Sequence, residues 1–140
     1  MQSDAARTMY DRDATAEAFG IELVESSATR AVTRMQVRAD MCNGLDVIHG
    51  GMTFLLADSA MAFASNAEND AAFATSAEID WLAPATPGQW LTAVAERRHA
   101  GARAAVWDVT VTATAEPADT DGTVVALFRG RTRRVGRPVV

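Results

Sequence analysis

Lysine is absent from this chain of 140 residues, and all 13 basic residues are arginine. The sequence therefore excludes a Schiff-base lysine, a lysine general base and a phosphate-loop lysine. The single cysteine, Cys42, excludes an internal disulfide and a thiolate zinc cluster and suits a reducing compartment. Only two histidines, His49 and His99, are present. Any catalysis must therefore rely on carboxylates, His49, hydroxyl groups or backbone groups, and we expect neither a metal nor a cofactor.

Long apolar segments are also scarce. The longest, residues 52–64, is too short to cross a bilayer, and the first residues show no targeting signal. The net charge of −5 is too negative for a general nucleic-acid binder. We therefore expect a cytoplasmic protein that binds neither a membrane nor a nucleic acid.

The charge is nevertheless unevenly distributed along the chain. Residues 1–93 hold 13 acidic and 5 basic residues, whereas residues 94–140 hold 5 acidic and 8 basic residues. A basic surface in the last third would suit a phosphorylated small molecule. The same arginines would also serve to decorate the solvent face of a strand.

Apolar residues make up 49% of the chain, enough for one domain over residues 1–140 with a buried core. The pattern predicts a short helix over residues 4–19, ended by Gly20, and a long helix of roughly 17 residues from Gly50. Strands are predicted at 21–25, 30–37, 73–82, 90–98, 104–115 and 123–135. Short turns after the long helix predict an antiparallel meander. The expected fold class is α+β, with the helix packed on one face of the sheet.

The long helix is unusual because it carries an aspartate in its middle. Its residues are apolar almost all round, which is typical of a buried helix. The residues three and four positions from Asp58 are all apolar, so its carboxylate needs a partner or its pKa rises. Asp58 is either part of a narrow polar seam with Ser59 or a functional group, and we favour function.

The start of this helix is the second unusual feature. Gly50 and Gly51 allow other groups to approach the backbone closely, and the free N–H groups of a first turn bind oxyanions or polarise carbonyls. Asn43 and His49 lie just upstream, either as polar site residues or as ordinary loop residues. Gly50 and Asp58 are separated by about 12 Å along the helix, too far for both to touch one acyl carbonyl. If both act on one substrate, a second chain must supply one of them, which predicts two equivalent sites at a dimer interface.

The segment from Asn43 to Ala60 resembles the signature loop and helix of hotdog-fold acyl-CoA thioesterases, in particular the PaaI branch of phenylacetic acid degradation. The resemblance continues through residues 79–84, 106–109 and 125–131. It implies a sheet of five or six strands wrapped around the central helix, a homodimer with sheets paired edge to edge, and a homotetramer. It also implies hydrolysis of an acyl-CoA substrate, with phenylacetyl- and hydroxyphenylacetyl-CoA as the expected esters.

The resemblance also assigns roles to residues. Asp58 matches the catalytic carboxylate, acting as general base or nucleophile, and the Gly50 N–H matches the group that polarises the thioester carbonyl. Asn43 and His49 match supporting polar residues. Expected contacts with substrate or coenzyme A come from Gly51, Thr75, Ser76, Arg103, Arg129 and Arg131.

Two positions depart from the branch pattern. Leu45 and Asp46 stand where the branch often has a second histidine or glycine. In the turn after Gly101, the basic residue Arg103 is displaced by one position, and a shift by one residue aims a side chain at the other face of a strand. Arg129, Arg131 and Arg133 recur with period two, so they share a face that would bind coenzyme A phosphates or simply meet solvent.

Two other functions remain open from the sequence. A hotdog hydratase or dehydratase usually pairs histidine with a carboxylate, whereas here the carboxylate follows a Gly-Gly helix start, which favours hydrolysis. A non-catalytic acyl-CoA-binding module would leave a carboxylate among apolar residues without a purpose.

Overall fold

Two short helices stand at the start of the chain, where the sequence predicted one helix over residues 4–19. In the computed structural model, which describes residues 2–140, they are α1 (Asp4–Asp11) and α2 (Ala14–Phe19). The prediction of one helix is wrong because Asp13 has an extended backbone and caps α2, accepting a hydrogen bond from the Ala16 N–H at 2.9 Å. Gly20 ends α2 in the left-handed conformation (φ 67°), as predicted.

A six-stranded antiparallel sheet and one long helix form the rest of the fold. In chain order the elements are β1 (Glu22–Ser26), β2 (Arg30–Gln36), a 3₁₀ turn (Ala39–Met41), α3 (Gly50–Ser65), β3 (Ala72–Trp81), β4 (Trp90–Ala100), β5 (Ala104–Thr114) and β6 (Thr123–Arg134). The strand order is β1-β2-β4-β5-β6-β3. The α+β class, the sheet of five or six strands and the long central helix are thus confirmed.

The position of β3 differs from the sequence prediction. A meander of all four strands after α3 would place β3 beside β4, but β3 pairs with β6 at the opposite edge of the sheet. Only β4, β5 and β6 form the meander. The segment 82–89 contains Pro84 and Pro87 and is too long for a tight hairpin. It instead passes the start of α3, where the Ile48 N–H donates to the Ala85 carbonyl at 2.8 Å.

The core lies between α3 and the concave face of the sheet. Leu56, Met61 and Phe63 on α3 are fully buried, as are Trp107 and Val109 on β5. The close approach of α3 to β6 depends on Gly130, because a Cβ at that position would overlap the Met61 sulfur. α3 is therefore fixed against the middle of the sheet, and the groups at both of its ends have defined positions.

The two edges of the sheet differ in whether another segment borders them. The segment before α1 borders β1, where the Ser3 N–H donates to the Ser26 carbonyl at 3.1 Å. Within residues 2–140, no segment pairs with the outer edge of β3, most of whose residues are exposed, including Phe73 and Trp81. An open edge strand of this length is an available pairing surface. No helix among these residues is long and apolar enough to cross a membrane.

Candidate active site

The first turn of α3 presents free backbone N–H groups. His49 precedes it with an extended backbone (φ −63°, ψ 133°), and its side chain does not cap the helix. Among residues 2–140, neither the Gly50 N–H nor the Gly51 N–H finds an acceptor, and the first turn contains no acidic residue. Because the first N–H groups of a helix carry partial positive charge, this end of α3 can stabilise an oxyanion.

Trp81, the last residue of β3, covers this helix start. Its indole Nε1 donates to the Gly50 carbonyl at 3.1 Å, and a Cβ on Gly50 would lie 3.0 Å from the indole Cε2. An open pocket of about 350 Å³ lies beside Gly50, bordered by Ile48, Thr53 and the segment 81–84. The glycine thus allows the indole to approach while its N–H stays free.

The loop before α3 places Asn43 and His49 near the same end of the helix. The Asn43 side-chain oxygen accepts from the Leu45 N–H at 2.9 Å, and its carbonyl accepts from the Asp46 N–H at 3.1 Å. Asn43 therefore builds the turn, and Asp46 takes the left-handed conformation within it (φ 59°). The His49 side chain is exposed. Their supporting roles in catalysis remain predictions.

Asp58 lies in the middle of α3 and is half-buried. Within residues 2–140 its carboxylate has no hydrogen-bond or ion-pair partner, and burial raises the pKa of this carboxyl above its ordinary value. It borders an open pocket of about 410 Å³ whose walls include Met9, Met61 and Phe73. Ser59 donates to the Leu55 carbonyl at 2.8 Å, so it makes no polar seam with Asp58. An unpaired, partly desolvated carboxylate facing a pocket has the properties of a general base or a nucleophile.

The pockets beside Gly50 and Asp58 have no lining residue in common. The two residues are about 12 Å apart along α3, as expected from the helical rise. One chain therefore offers an oxyanion-binding end and a carboxylate in separate places.

Known proteins share both the sequence and this architecture. The sequence model of the Thioesterase superfamily matches residues 45–117. The acyl-coenzyme A thioesterase PaaI of Escherichia coli (strain K12) is 41% identical over 131 residues, covering 94% of this chain and 89% of that protein. The chain belongs to the thioesterase superfamily.

Solved structures agree with this membership. That of the E. coli PaaI protein from the phenylacetic acid degradation operon has a TM-score of 0.89 at 38% identity, covering 99% of each chain. That of the TT0310 protein from Thermus thermophilus has a TM-score of 0.80 at 35% identity, covering 89% of this chain and 99% of that one. The hotdog fold and the prediction of a thioesterase-family enzyme are thereby confirmed.

The other predicted substrate contacts in this thioesterase are dispersed. Gly51 is exposed at the start of α3. Thr75 and Ser76 are exposed on the edge strand β3, where Thr75 forms an irregularity in the pairing with β6. None of the three borders the pocket beside Asp58 or the pocket beside Gly50. A second chain paired along β3 is what would bring Thr75 and Ser76 near a shared site, so their contacts with substrate stay predictions.

The predicted arginine stripe on β6 is partly engaged. Arg129, Arg131 and Arg133 are all exposed, with Gly130 and Thr132 buried between them. Arg129 donates to both oxygens of Asp108 at 2.6 and 2.8 Å, and its guanidinium is the main cause that lowers the pKa of this carboxyl.

Arg103 lies elsewhere, in the turn between β4 and β5. It shares a shallow basic groove with Arg133 and Arg134. The Arg103 carbonyl accepts from the Arg134 N–H at 2.7 Å, which joins this turn to β6. Asp70 also borders the groove and pairs with Arg134 at 3.5 Å, so Arg103 and Arg133 are the arginines of this groove without an ion pair within residues 2–140.

Sequence reasoning missed two residues of the pocket beside Asp58. Arg12, after α1, and Arg137, near the end of the chain, both border it. No local pattern marks them, because tertiary contacts bring them to this pocket. Among residues 2–140 there is no group of three or more histidine, cysteine or acidic residues that could hold a metal ion.

Proposed function

We propose that this chain is an acyl-CoA thioesterase of the PaaI type, which hydrolyses a CoA thioester to the free acid and coenzyme A. The observation that carries the proposal is the unpaired, half-buried carboxylate of Asp58 on an otherwise apolar helix whose first N–H groups are free. The E. coli relative, which is named for acyl-coenzyme A, supports the same substrate class.

The chemistry needs few protein groups, because a thioester carbonyl is electrophilic and a thiolate is a good leaving group. On one route, Asp58 removes a proton from water as the water oxygen attacks the carbonyl carbon. On the other, an Asp58 oxygen attacks and forms a mixed anhydride, which water then hydrolyses. In both, the Gly50 N–H stabilises the oxyanion, and the C–S bond breaks to release coenzyme A, whose sulfur takes up a proton. Neither route calls for a metal or a cofactor.

The separation of Gly50 from Asp58 supports a site shared by two chains. In a homodimer paired along the open edge of β3, Asp58 of one protomer would act on a carbonyl held by the helix start of the other. Two equivalent sites follow from the two-fold axis. Association of two such dimers into a homotetramer belongs to the same proposal.

Phenylacetyl- and hydroxyphenylacetyl-CoA are the first esters to examine. The relative from the phenylacetic acid degradation operon suggests them, and the pocket beside Asp58 has the apolar walls that an aryl group needs. The coenzyme A phosphates would meet Arg103 and Arg131 at the surface, and Arg129 only after leaving Asp108. The acyl-CoA is the partner; a cytoplasmic location stays a prediction.

Release of free thiol from a panel of acyl-CoA esters tests the proposal. We expect the wild-type protein to hydrolyse an aryl-acetyl ester and the Asp58→Asn variant to lose at least about a hundredfold in kcat. A variant with wild-type activity would remove Asp58 from the mechanism. A protein that binds the esters but releases no thiol would be a binding module. Hydration of an enoyl-CoA without thiol release would support a hydratase.

A further inference from the structure

Two guanidinium groups in the pocket beside Asp58 have no part in the proposed reaction. Arg12 follows α1 and Arg137 lies beyond β6, so they approach the pocket from different segments. Within residues 2–140, neither guanidinium makes an ion pair, whereas Arg7 on the same α1 pairs with Asp11 at 3.1 Å. Arg137 lies 5.9 Å from the centroid of the Phe73 ring. Both are therefore free to bind an anionic group.

The other polar side chains of the pocket are already occupied. The Asn66 amide donates to the carbonyls of Ala62 and Ala72, and its oxygen accepts from the Ala72 N–H at 2.9 Å. The Ser65 hydroxyl donates to the Ala62 carbonyl at 3.0 Å, and the Thr132 hydroxyl accepts from the Trp107 indole at 3.0 Å. Most of the remaining wall is apolar. Asp58 and the two arginines are consequently the polar side chains of this pocket that are available to bind a ligand.

The backbone segments that carry the two arginines lie beside the second half of α3, beyond Asp58. The Arg137 carbonyl accepts from the Ala71 N–H at 2.8 Å, and the neighbouring Ala72 is bonded to Asn66, about 12 Å beyond Asp58 along the helix direction. Tyr10, near the end of α1, packs edge-on against Phe63, in the second half of α3. In agreement, burial is the one cause that shifts the pKa of Asp58, with no lowering by an arginine.

The segment that carries Arg137 is held in place. The N–H groups of Val139 and Val140 both donate to the Asn69 side-chain oxygen at 3.0 Å, and the Val135 N–H donates to the Ala71 carbonyl at 2.9 Å. Arg137 thus projects from a wall that is bonded on both sides. A fixed backbone lowers the cost of ordering a long side chain around a ligand.

We infer that this pocket selects acyl groups that carry a carboxylate at the end far from the thioester, and that this carboxylate is bound between Arg12 and Arg137. The inference rests on the proposed function, in which Asp58 marks the reacting end of the acyl group. The apolar wall would cover the middle of the acyl group, and the guanidiniums would bind the terminal carboxylate through charge-assisted hydrogen bonds. A neutral acyl group of the same length would gain only the apolar contact.

Matched pairs of esters test the inference. In the first pair, adipyl-CoA and hexanoyl-CoA, the acyl groups have the same number of carbons, and only the adipyl group ends in a carboxylate. In the second pair, para-carboxyphenylacetyl-CoA carries a carboxylate on the ring that phenylacetyl-CoA lacks. We expect the wild-type kcat/KM to favour the carboxylated member of at least one pair by about tenfold or more. The Arg12→Gln/Arg137→Gln variant should lose this preference while it keeps its activity on the neutral member. Arg7→Gln, on α1 but outside the pocket, is the matched control and should keep the preference.

The other outcomes separate this inference from the proposed function. A wild-type preference for the neutral member of both pairs would overturn the inference and leave the thioesterase intact. An equal loss on both members in the double variant would also overturn it, because the arginines would then bind the coenzyme A part. A wild-type protein that releases thiol from none of the esters would overturn the proposed function itself.

Discussion

The indole of Trp81 lies against the α-carbon of Gly50 and donates a hydrogen bond to the Gly50 carbonyl at 3.1 Å. The contact joins the end of β3 to the start of α3, and the Gly50 N–H has no acceptor within residues 2–140. The hydrogen bond fixes the peptide between Gly50 and Gly51, directly after the one that carries the proposed oxyanion donor. Electrostatic stabilisation depends on such fixed donors, because they need no reorganisation during the reaction.

Two substitutions, Gly50→Pro and Gly50→Ala, distinguish the effect of losing the Gly50 N–H from the effect of disturbing the contact with the indole. Both add a Cβ about 3.0 Å from the indole, but only proline removes the N–H. Proline is tolerated at the first position of a helix, and the extended backbone of His49 suits a residue before proline. We expect kcat to fall about 10²–10³-fold further in Gly50→Pro than in Gly50→Ala, with similar melting temperatures. Equal kcat values would remove this N–H from the mechanism.

The pH dependence of kcat reports on Asp58. Because burial raises its pKa, the ionised form required of a base or nucleophile is lost at a higher pH than for an ordinary aspartate. We expect the acidic limb of the kcat profile to lie above pH 3.8, the ordinary value. His49 is the other ionisable side chain assigned to the predicted site, so the His49→Gln variant tests the assignment and should retain the limb. If the acidic limb disappeared in the His49→Gln variant, the assignment of this limb to Asp58 would be wrong.

Two aspartates should affect stability with opposite signs. The raised pKa of Asp58 means that the folded state binds the proton more tightly than the unfolded state, so stability falls as pH rises through this window. The lowered pKa of Asp108 contributes stability above the unfolded pKa, which is lost as pH falls through the folded pKa.

At neutral pH, Asp58→Asn should therefore unfold at the same temperature as the wild type or higher. Asp108→Asn, which loses the surface ion pairs with Arg98 and Arg129, should be less stable by about 1 kcal/mol. Thermal unfolding at neutral pH and below both pKa values measures the two effects, and the differences should shrink at the acidic pH. Destabilisation by Asp58→Asn at neutral pH would show an unrecognised partner for the carboxylate.

Complementation tests the shared site directly. Gly50→Pro and Asp58→Asn are each expected to be inactive, but a mixed dimer contains one site with an intact Gly50 and an intact Asp58 from different chains. With random pairing, co-expression of the two variants should restore about a quarter of the wild-type activity. Co-expression of two differently tagged Asp58→Asn chains is the control. Persistent inactivity of verified mixed dimers would place both groups of each site in one chain.

The parts of this fold that were predictable from sequence are those set by local periodicity. The long helix, the apolar surroundings of Asp58 and the alternation on β5 all follow from the 3.6- and 2-residue repeats. The position of β3 does not, because pairing with β6 rather than β4 is decided by packing around α3. The same holds for Arg137, which meets the pocket because its segment is bonded to Ala71 and Asn69. Contacts between residues distant in sequence leave no mark on local patterns.

Gly130 on β6 is a second glycine whose missing side chain has a structural role. A Cβ there would overlap the Met61 sulfur and lie 2.9 Å from its Cε, in a fully buried part of the core. We expect Gly130→Ala to lower the free energy of unfolding by about 1–3 kcal/mol through overpacking. Gly44→Ala, where a Cβ would meet nothing within 4 Å, should be nearly neutral.

A double-mutant cycle with Met61→Ala tests whether contact with Met61 causes the loss of stability in Gly130→Ala. That variant leaves a cavity against Gly130, and the added methyl of Gly130→Ala would fill part of it. We therefore expect Gly130→Ala to be neutral or stabilising in the Met61→Ala background, as measured by urea unfolding. The same cost in both backgrounds would mean that Met61 is not the main obstacle, and would leave the Phe128 ring, whose Cε1 lies 3.0 Å from that Cβ, as the cause.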